Sequence, residues 1–236
     1  MPKYQIKKIE DFQLLKDRVY EAIKKEITGL NLRPGEQLSE KSLAHELGVS
    51  KSPVRDALQR LESEGFVYAS PYRGYFVSTL SATEFEDIFQ MRIAIELFCL
   101  REKIDSYSET DINDLEAVTK MSVEQIKKSD EASALENHLC FHKMIVNKLG
   151  NKLIDDVYFN LCEKMVRYLY VAKKNLPDII IESDEEHQEL FKAIQTRNSA
   201  LSVRILKAHL SSLMNKYLKS EKIIKYHNSI MNSDHK

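Results

Sequence analysis

The sequence predicts a mainly α-helical protein of two domains, in which a short N-terminal domain with many turns precedes a longer all-helical domain. Hydrophobic residues make up 43% of the 236 residues, enough to bury two cores. Five of the six glycines and four of the five prolines lie before residue 75. Because both residue types interrupt helices, their scarcity after that point indicates a long helical segment. We therefore expect domains at residues 1–80 and 81–220, followed by a flexible tail at 221–236.

The first domain has the pattern of a winged helix-turn-helix. Apolar residues at helical spacing predict a helix over Asp11–Leu30, and Pro34-Gly35 marks the turn after it. Two further helices, EKSLAHELG and VSKSPVRDALQRLESEG, are separated by a short turn at Gly48, and Gly65 ends the second. The segments FVYAS and YFVSTL, joined by PYRG, then predict a two-stranded hairpin, the wing.

The second helix of such a pair can enter a DNA major groove, and the hairpin tip can reach the adjacent minor groove. Small hydroxyl donors and cations occupy the first turns of both helices and the tip of the hairpin. The candidate DNA contacts are Lys41, Ser50, Lys51, Ser52, Arg55, Arg73 and Gly74. Taken singly, each of them is an ordinary solvated residue. Their order along the chain favours double-stranded DNA as the partner.

Composition indicates the compartment rather than the partner. The net charge of −1 does not indicate nucleic-acid binding, because it averages over both domains. An odd number of cysteines, all in apolar sequence, predicts buried reduced thiols at Cys99, Cys140 and Cys162 and hence a reducing compartment. The N-terminus lacks the apolar core of a signal peptide, and no apolar run is long enough to span a bilayer. We expect a cytoplasmic protein without a membrane partner.

From Ala82 onwards the apolar periodicity predicts a bundle of six or seven antiparallel helices. Ser81 and Glu84 have the spacing of a capping box at the start of the first helix. The expected helices are 82–104, 109–129, 131–149, 151–175, 179–196 and 198–220. In the first of them, Arg92 and Glu96 lie four residues apart in an apolar setting. They either pair with each other or leave Arg92 to bind a buried anion.

Four of the seven histidines lie on apolar-periodic helices of the second domain: His138, His142, His187 and His209. His138 and His142, in the segment HLCFH, share one helix face, and this spacing allows one helix to offer two imidazoles to a metal. A histidine on an apolar face is, however, more often a satisfied core residue. Spacing alone leaves both interpretations open, because it does not show that three helices converge.

Residues 32–81 closely resemble the DNA-binding domain of GntR-family bacterial transcription regulators. The matching elements are PG..LSE..LA..LGVS...VR.AL..L..EG.V and a wing that ends RG..V. The resemblance implies the seven DNA contacts named above. The family more usually has arginine where this chain has Lys41 and Lys51, and lysine lacks the bidentate fork that reads guanine.

Residues 82–215 are similar to the FCD effector domain of the FadR-type GntR subfamily, through HLCFH, EEHQELFKAI and ALSVRILKAH. In many relatives an aspartate and three histidines of this pattern bind a divalent metal at the floor of a small-molecule cavity. The resemblance assigns this role to His142, His187 and His209, with His138 at the aspartate position. Four nitrogen ligands suit Zn²⁺, with Ni²⁺ as the alternative, better than Mg²⁺ or Mn²⁺. We expect a small carboxylate effector at this metal, contacted by Arg92 and His138.

The resemblance implies a homodimeric, ligand-responsive repressor whose paired winged helices bind an inverted-repeat operator. Two alternatives remain open. One is a regulator whose pocket holds no metal and whose histidines bind the anion directly. The other is a metal-dependent hydrolase, which we disfavour because no carboxylate is placed as a general base in the way that zinc protease motifs place one. We expect no enzymatic activity.

Overall fold

A computed structural model describes residues 9–128, 131–176 and 178–231. The main division of the chain into two compact units lies between Leu80 and Ser81, and residues 229–231, at the end of the described chain, group with the first unit. Over residues 9–80 the first unit contains three helices and three short strands: α1 (Ile9–Thr28), β1 (Gln37–Leu38), α2 (Glu40–Glu46), α3 (Lys51–Ser63), β2 (Val67–Ser70) and β3 (Gly74–Val77). This arrangement confirms the predicted winged helix-turn-helix, with β2 and β3 as the wing.

The sheet of the first unit is antiparallel, with strand order β1-β3-β2. In the wing Ser70 pairs with Gly74, and on the other side of β3 Gln37 pairs with Phe76. The sequence did not indicate β1, because a strand of two residues is too short to show alternation. The extra strand matters because it joins the turn after α1 to the wing.

One hydrophobic core holds the helices and the wing of the first unit together. Its buried members include Val19, Tyr20, Ile23, Ile27, Val54, Leu58, Leu61, Phe66 and Val77. Burial of each large aliphatic side chain contributes roughly 1.5–3 kcal/mol. This packing buries the inner face of α3 and leaves the opposite face, which carries Lys51, Ser52 and Arg55, exposed.

The second unit, Ser81–Asn228, is helical in its described part. Its helices are α4 (Ala82–Lys103), α5 (Glu109–Lys127), α6 (Glu131–Asn147), α7 (Lys152–Asn175), α8 (Ile179–Gln195), α9 (Ser199–Lys219) and α10 (Glu221–Met231), with a 3₁₀ turn at Ile104–Ser106. The first six match the predicted helices to within two residues at each end. None of the described helices is long and apolar enough to cross a membrane.

The helix α10 occupies residues for which the sequence predicted a flexible tail. It begins after Ser220, whose hydroxyl accepts a hydrogen bond from the backbone N–H of Ile223 at 3.4 Å. Ile223 is buried, and Tyr226 follows three residues later on the same face. The exposed Ile224 and Lys225 between them obscure this short apolar period in the sequence. Residues 232–236 of the predicted tail lie outside the described residues.

The start of α4 is capped through a tyrosine of another helix. The Ser81 hydroxyl accepts the N–H of Glu84 at 2.9 Å, as the sequence spacing indicates. The second half of the box differs: the Ser81 N–H donates to the Tyr168 hydroxyl at 3.2 Å, and that hydroxyl donates to the Glu84 carboxylate at 2.5 Å. Tyr168 of α7 therefore binds the residue at which the second unit begins.

The three cysteines are free thiols. Cys99 and Cys162 are buried and share a small core with Val146 and Tyr158, which joins α4, α6 and α7. Cys140 is half-buried, so the predicted burial holds for two of the three thiols.

Candidate DNA-binding surface and metal centre

The first unit presents the seven candidate DNA contacts to solvent. All of them are exposed: Lys41, Ser50, Lys51, Ser52, Arg55, Arg73 and Gly74. The tight turn between α2 and α3 depends on Gly48, whose φ of 64° lies in the left-handed region that favours glycine. Ser50 begins α3 but its side chain caps no backbone N–H of that helix, so its hydroxyl is available to an outside acceptor.

Arg55 is held by an acidic residue at the start of α2. Its Nε and Nη2 atoms donate to the two Glu40 oxygens at 3.1 and 2.9 Å, a bidentate pair. Hydrogen bonding from Arg55 lowers the pKa of the Glu40 carboxyl. Any anion that bound this guanidinium would have to compete with Glu40 for it.

The tip of the wing also exposes Tyr72, which is not among the residues that the sequence predicts as DNA contacts. Tyr72 is fully exposed, with a φ of 64°, a backbone conformation that non-glycine residues rarely adopt. Arg73 lies partly back over the Phe76 ring, with its guanidinium carbon 5.0 Å from the ring centroid. The Arg73 carbonyl accepts the Gln37 side-chain amide at 2.5 Å, so β1 fixes the tip. The position of Tyr72 beside Pro71, in the predicted turn PYRG, is the sequence feature that indicates its exposure.

In the second unit, three helices bring the four candidate histidines together. His138 and His142 come from α6, His187 from α8 and His209 from α9, and all four are buried. One nitrogen from each of them lies within 4.8 Å of the others. This convergence is the feature that spacing alone could not establish.

The closest approach within the cluster is among His142, His187 and His209. The Nε2 atoms of His142 and His187 are 2.9 Å apart, those of His142 and His209 are 3.1 Å apart, and those of His187 and His209 are 3.2 Å apart. Burial lowers the pKa of His142 to about 4 and that of His187 well below the usual value, so both imidazoles are neutral at pH 7. Neutral imidazole is the form that binds a metal.

Two glutamates fix the proton position on two of these rings. The Nδ1 of His142 lies 2.6 Å from the Glu96 carboxylate, and the Nδ1 of His209 lies 2.7 Å from Glu186. Burial alone would raise the pKa of each carboxyl, but Arg92 and His142 lower that of Glu96 to about 2, and His209 lowers that of Glu186. Because an ionised carboxylate only accepts, each ring donates from Nδ1, and the neutral His142 ring therefore keeps an unprotonated Nε2.

Arg92 pairs with Glu96, which was one of the two roles that the sequence left open for it. Both side chains are fully buried, and the Arg92 Nε lies 2.8 Å from the carboxylate. Tyr158 donates to the same carboxylate at 2.7 Å, and the Arg92 Nη1 lies 2.8 Å from the Met165 sulfur. The Arg92 Nη2 atom is buried without a hydrogen-bond partner among the described residues.

His138 differs from the other three histidines in its hydrogen-bond contacts. Its ring stacks on His187, with centroids 4.5 Å apart and planes inclined by 15°. His142 and His209 are also stacked, with planes inclined by 21°, so the stacking by itself does not exclude His138 from the histidine cluster. The Nδ1 of His138 lies 3.4 Å from the Ser183 hydroxyl, and its buried Nε2 has no hydrogen-bond partner among the described residues.

A small cavity adjoins His138. Its volume is about 20 Å³, room for about one water molecule. His138 and Ser183 supply its polar wall, and the rest is aliphatic: Leu135, Leu169, Ala172, Ile179 and Leu213. Arg92 lies outside this described wall.

Sequence reasoning missed the partners of the histidines rather than the histidines themselves. Glu186 precedes His187 but orients His209, because adjacent helix residues point about 100° apart. Neither this contact nor that of Ser183 with His138 has a signal in the sequence, since each joins residues of different helices. Glu96 was noticed only as a partner for Arg92.

A winged helix-turn-helix with an exposed basic face, followed by a helical unit with a buried polar centre, defines a DNA-binding transcription regulator. Two family models match the chain: "Bacterial regulatory proteins, gntR family" over residues 15–77 and the FCD domain over residues 87–212. The chain therefore belongs to the GntR family of regulators and carries an FCD domain. It is a transcription regulator and not an enzyme.

Curated relatives agree with this assignment, and a solved structure agrees with the fold. The chain is 25% identical over 211 residues to the uncharacterised HTH-type transcriptional regulator YdhC of Bacillus subtilis, covering 86% of this chain and 93% of YdhC. It is 25% identical over 206 residues to the HTH-type transcriptional repressor RspR of Escherichia coli, covering 85% and 88%. The structure of E. coli McbR/YncC has the same fold, with a TM-score of 0.73 at 21% identity, over 86% of this chain and 98% of that one.

Proposed function

We propose that this protein is a metal-dependent, ligand-responsive repressor whose first unit binds operator DNA and whose second unit binds a small carboxylate at a Zn²⁺ centre. The observation that carries the proposal is the mutual approach of three Nε2 atoms, from His142, His187 and His209, to 2.9–3.2 Å. Similarity to the repressor RspR supports the direction of control. Because the target is chromosomal DNA, we expect the protein to act in the bacterial cytoplasm.

The three histidines fit a divalent metal better than they fit a hydrogen-bonded cluster. In the neutral form, with their Nδ1 protons on Glu96 and Glu186, His142 and His209 would direct Nε2 lone pairs at each other over 3.1 Å, and one N–H on His187 would not fully satisfy both. A cation satisfies all three nitrogens at once. Zn–N bonds of about 2.0–2.1 Å place tetrahedral ligands about 3.3 Å apart, close to the observed separations. Imidazole nitrogens favour Zn²⁺, or Ni²⁺ next, over Mg²⁺ and Mn²⁺.

We assign His138 to the effector rather than to the metal. Its Nδ1 contacts the Ser183 hydroxyl, and its buried Nε2 has no hydrogen-bond partner among the described residues, beside the cavity that His138 lines. The bound metal supplies the positive charge that attracts a carboxylate, and His138 can hydrogen bond to that carboxylate. Arg92, whose Nη2 is also unpartnered, is the second candidate contact for the anion.

We also propose a homodimer that binds an inverted-repeat operator. The adjacent helices α4 and α7 expose large apolar side chains, at Met91 and Phe98 on α4 and at Leu153 and Val157 on α7. Exposed apolar residues at helical spacing on neighbouring helices are typical of an interface. Light scattering should give twice the chain mass, and the double change Phe98→Asp with Leu153→Asp should give a monomer. A monomeric wild-type protein would refute this part.

The metal part of the proposal is tested by metal analysis of full-length protein purified without a histidine tag. After dialysis against Zn²⁺ and removal of the excess, we expect about one zinc per chain in the wild type. His142→Ala, His187→Ala and His209→Ala should each lose it, whereas His45→Ala, which changes an exposed histidine of α2, should retain it. His138→Ala should retain most of the zinc. A zinc stoichiometry near zero in the wild type would refute the metal centre and favour the alternative, a regulator whose effector pocket holds no metal.

DNA binding is tested separately by gel shift with a fragment of the protein's own promoter. The wild type should shift the fragment, and Lys51→Ala should weaken the shift by a similar factor on specific and non-specific DNA if Lys51 contacts phosphate. Failure of the wild type to bind any promoter fragment, with or without zinc, would contradict the operator assignment.

A further inference from the structure

The cavity beside His138 has two chemically different ends. One end carries the His138 ring and the Ser183 hydroxyl, and the remaining wall consists of methyl and methylene groups from α6, α7, α8 and α9. Leu169 and Ala172 contribute one side of this wall, and Leu213 belongs to another helix. The polar end is also the end nearest the other histidines, since His138 stacks on His187.

We propose that the effector is a monocarboxylate with an aliphatic tail, and that the cavity excludes polyhydroxylated sugar acids. The inference rests on the proposed carboxylate function of the histidine centre and adds the chemistry of the tail. It follows from the distribution of polar groups around the cavity. The carboxylate lies at the His138 end, and the tail lies against Leu135, Leu169, Ala172, Ile179 and Leu213.

The aliphatic wall rejects hydroxyl groups because it offers them no partners. A hydroxyl that leaves water needs a hydrogen bond inside the protein, or its desolvation opposes binding. Apart from His138 and Ser183, the described wall has only aliphatic side chains. A methylene group placed there gains affinity instead, because it leaves water for an apolar surface.

His138 and Ser183 account for the carboxylate end. The Ser183 hydroxyl lies 3.4 Å from the His138 Nδ1, and when it donates there the neutral ring carries its proton on Nε2. That Nε2 is buried and has no partner among the described residues, so a carboxylate oxygen would satisfy it. An aspartate at this position would repel the same carboxylate.

The cavity must also enlarge when the effector binds. Its volume of about 20 Å³ holds roughly one water molecule, less than any carboxylate with a tail. A tail that reaches Leu169 and Ala172 therefore displaces α7 relative to α8 or α9. The length of the tail consequently determines how far the helices separate, and short tails of a few carbons are preferred.

The test compares hexanoate with gluconate, two six-carbon monocarboxylates that differ only in hydroxyl groups. Titration calorimetry on zinc-loaded, full-length wild-type protein would measure both, with acetate and butyrate as shorter tails. We expect butyrate or hexanoate to bind at least about tenfold more tightly than acetate. Gluconate should bind no better than acetate. Gluconate binding as tightly as hexanoate would overturn the inference and leave the zinc-carboxylate function intact.

Matched variants test the contact with the aliphatic tail of the effector separately from the binding of its carboxylate. Ala172→Val narrows the cavity and should weaken hexanoate several-fold more than acetate, whereas Ala193→Val, at a buried alanine outside the described wall, should change neither. Equal weakening of both acids by Ala172→Val would overturn the tail assignment. If no acid binds although zinc is present at one per chain, the carboxylate function fails and the inference fails with it.

Discussion

The two units place arginine–glutamate pairs in opposite settings. In the first unit Arg55 and Glu40 form a bidentate pair at an exposed surface, and in the second unit Arg92 and Glu96 form a pair that is fully buried. The exposed pair can open to admit DNA at little cost. The buried pair cannot open without leaving a charge in an apolar interior. The first unit thus carries an ion pair at its surface, and the second carries an ion pair enclosed by its own helices.

Breaking the buried pair should have the largest effect. Arg92→Met leaves the Glu96 carboxylate buried without its cation, and we expect the free energy of unfolding to fall by about 3–5 kcal/mol. Urea denaturation with a chelator present measures this without a contribution from metal. Lys152→Met, which removes an exposed pair with Asp156, is the control and should change stability by less than about 0.5 kcal/mol. If Arg92→Met lowers the free energy of unfolding by less than about 1 kcal/mol, the buried pair does not differ from an exposed pair in the way we expect.

Breaking the exposed pair of Arg55 and Glu40 should affect DNA binding more than stability. Arg55→Met should leave stability within about 1 kcal/mol of wild type but weaken operator binding by about 1–3 kcal/mol. Binding titrations at several salt concentrations would show whether Arg55 contacts a phosphate, since the loss of one such contact reduces the salt slope by about 1. Unchanged operator affinity would remove Arg55 from the DNA surface.

The carboxylate behind His209 offers a finer test of the buried centre. Glu186→Gln keeps an acceptor for the Nδ1 proton of His209 but removes the negative charge, and we expect zinc affinity to fall about 10–100-fold. Competition with a fluorescent chelator measures this change. Glu185→Gln alters the exposed neighbouring glutamate and should leave the affinity as it is. Equal effects of both variants would mean that bulk charge, not the hydrogen bond to His209, controls the metal.

The smallest expected effect concerns the residue that binds the start of the second unit. Tyr168→Phe removes the hydroxyl that accepts from the Ser81 N–H and donates to Glu84, so stability should fall by about 1–2 kcal/mol. Thermal unfolding measures this loss. Tyr170→Phe, on the same helix, is the matched control. If both variants have the same melting temperature, the Ser81 contact does not stabilise the start of α4.

The sequence predicted the fold well because the elements of this protein are signalled locally. Gly48 and Gly65 mark the ends of α2 and α3, and the apolar periodicity predicts the six helices of the second unit to within two residues. The sequence did not predict β1, which has only two residues, or α10, whose few apolar residues are interrupted by polar ones. The capping box at Ser81 was half correct, because a tyrosine 87 residues away replaces its second half.

The sequence by itself determined which residues are candidates for DNA and metal binding, because residue type and helix face are properties of neighbouring positions. Only the tertiary structure decided how those candidates are used. It gave His138 a contact with Ser183, gave His142 and His209 their carboxylates, and joined Arg92 to Glu96. Each of these outcomes depends on contacts between different helices or on the packing around one helix. A one-dimensional pattern carries no distance between such groups.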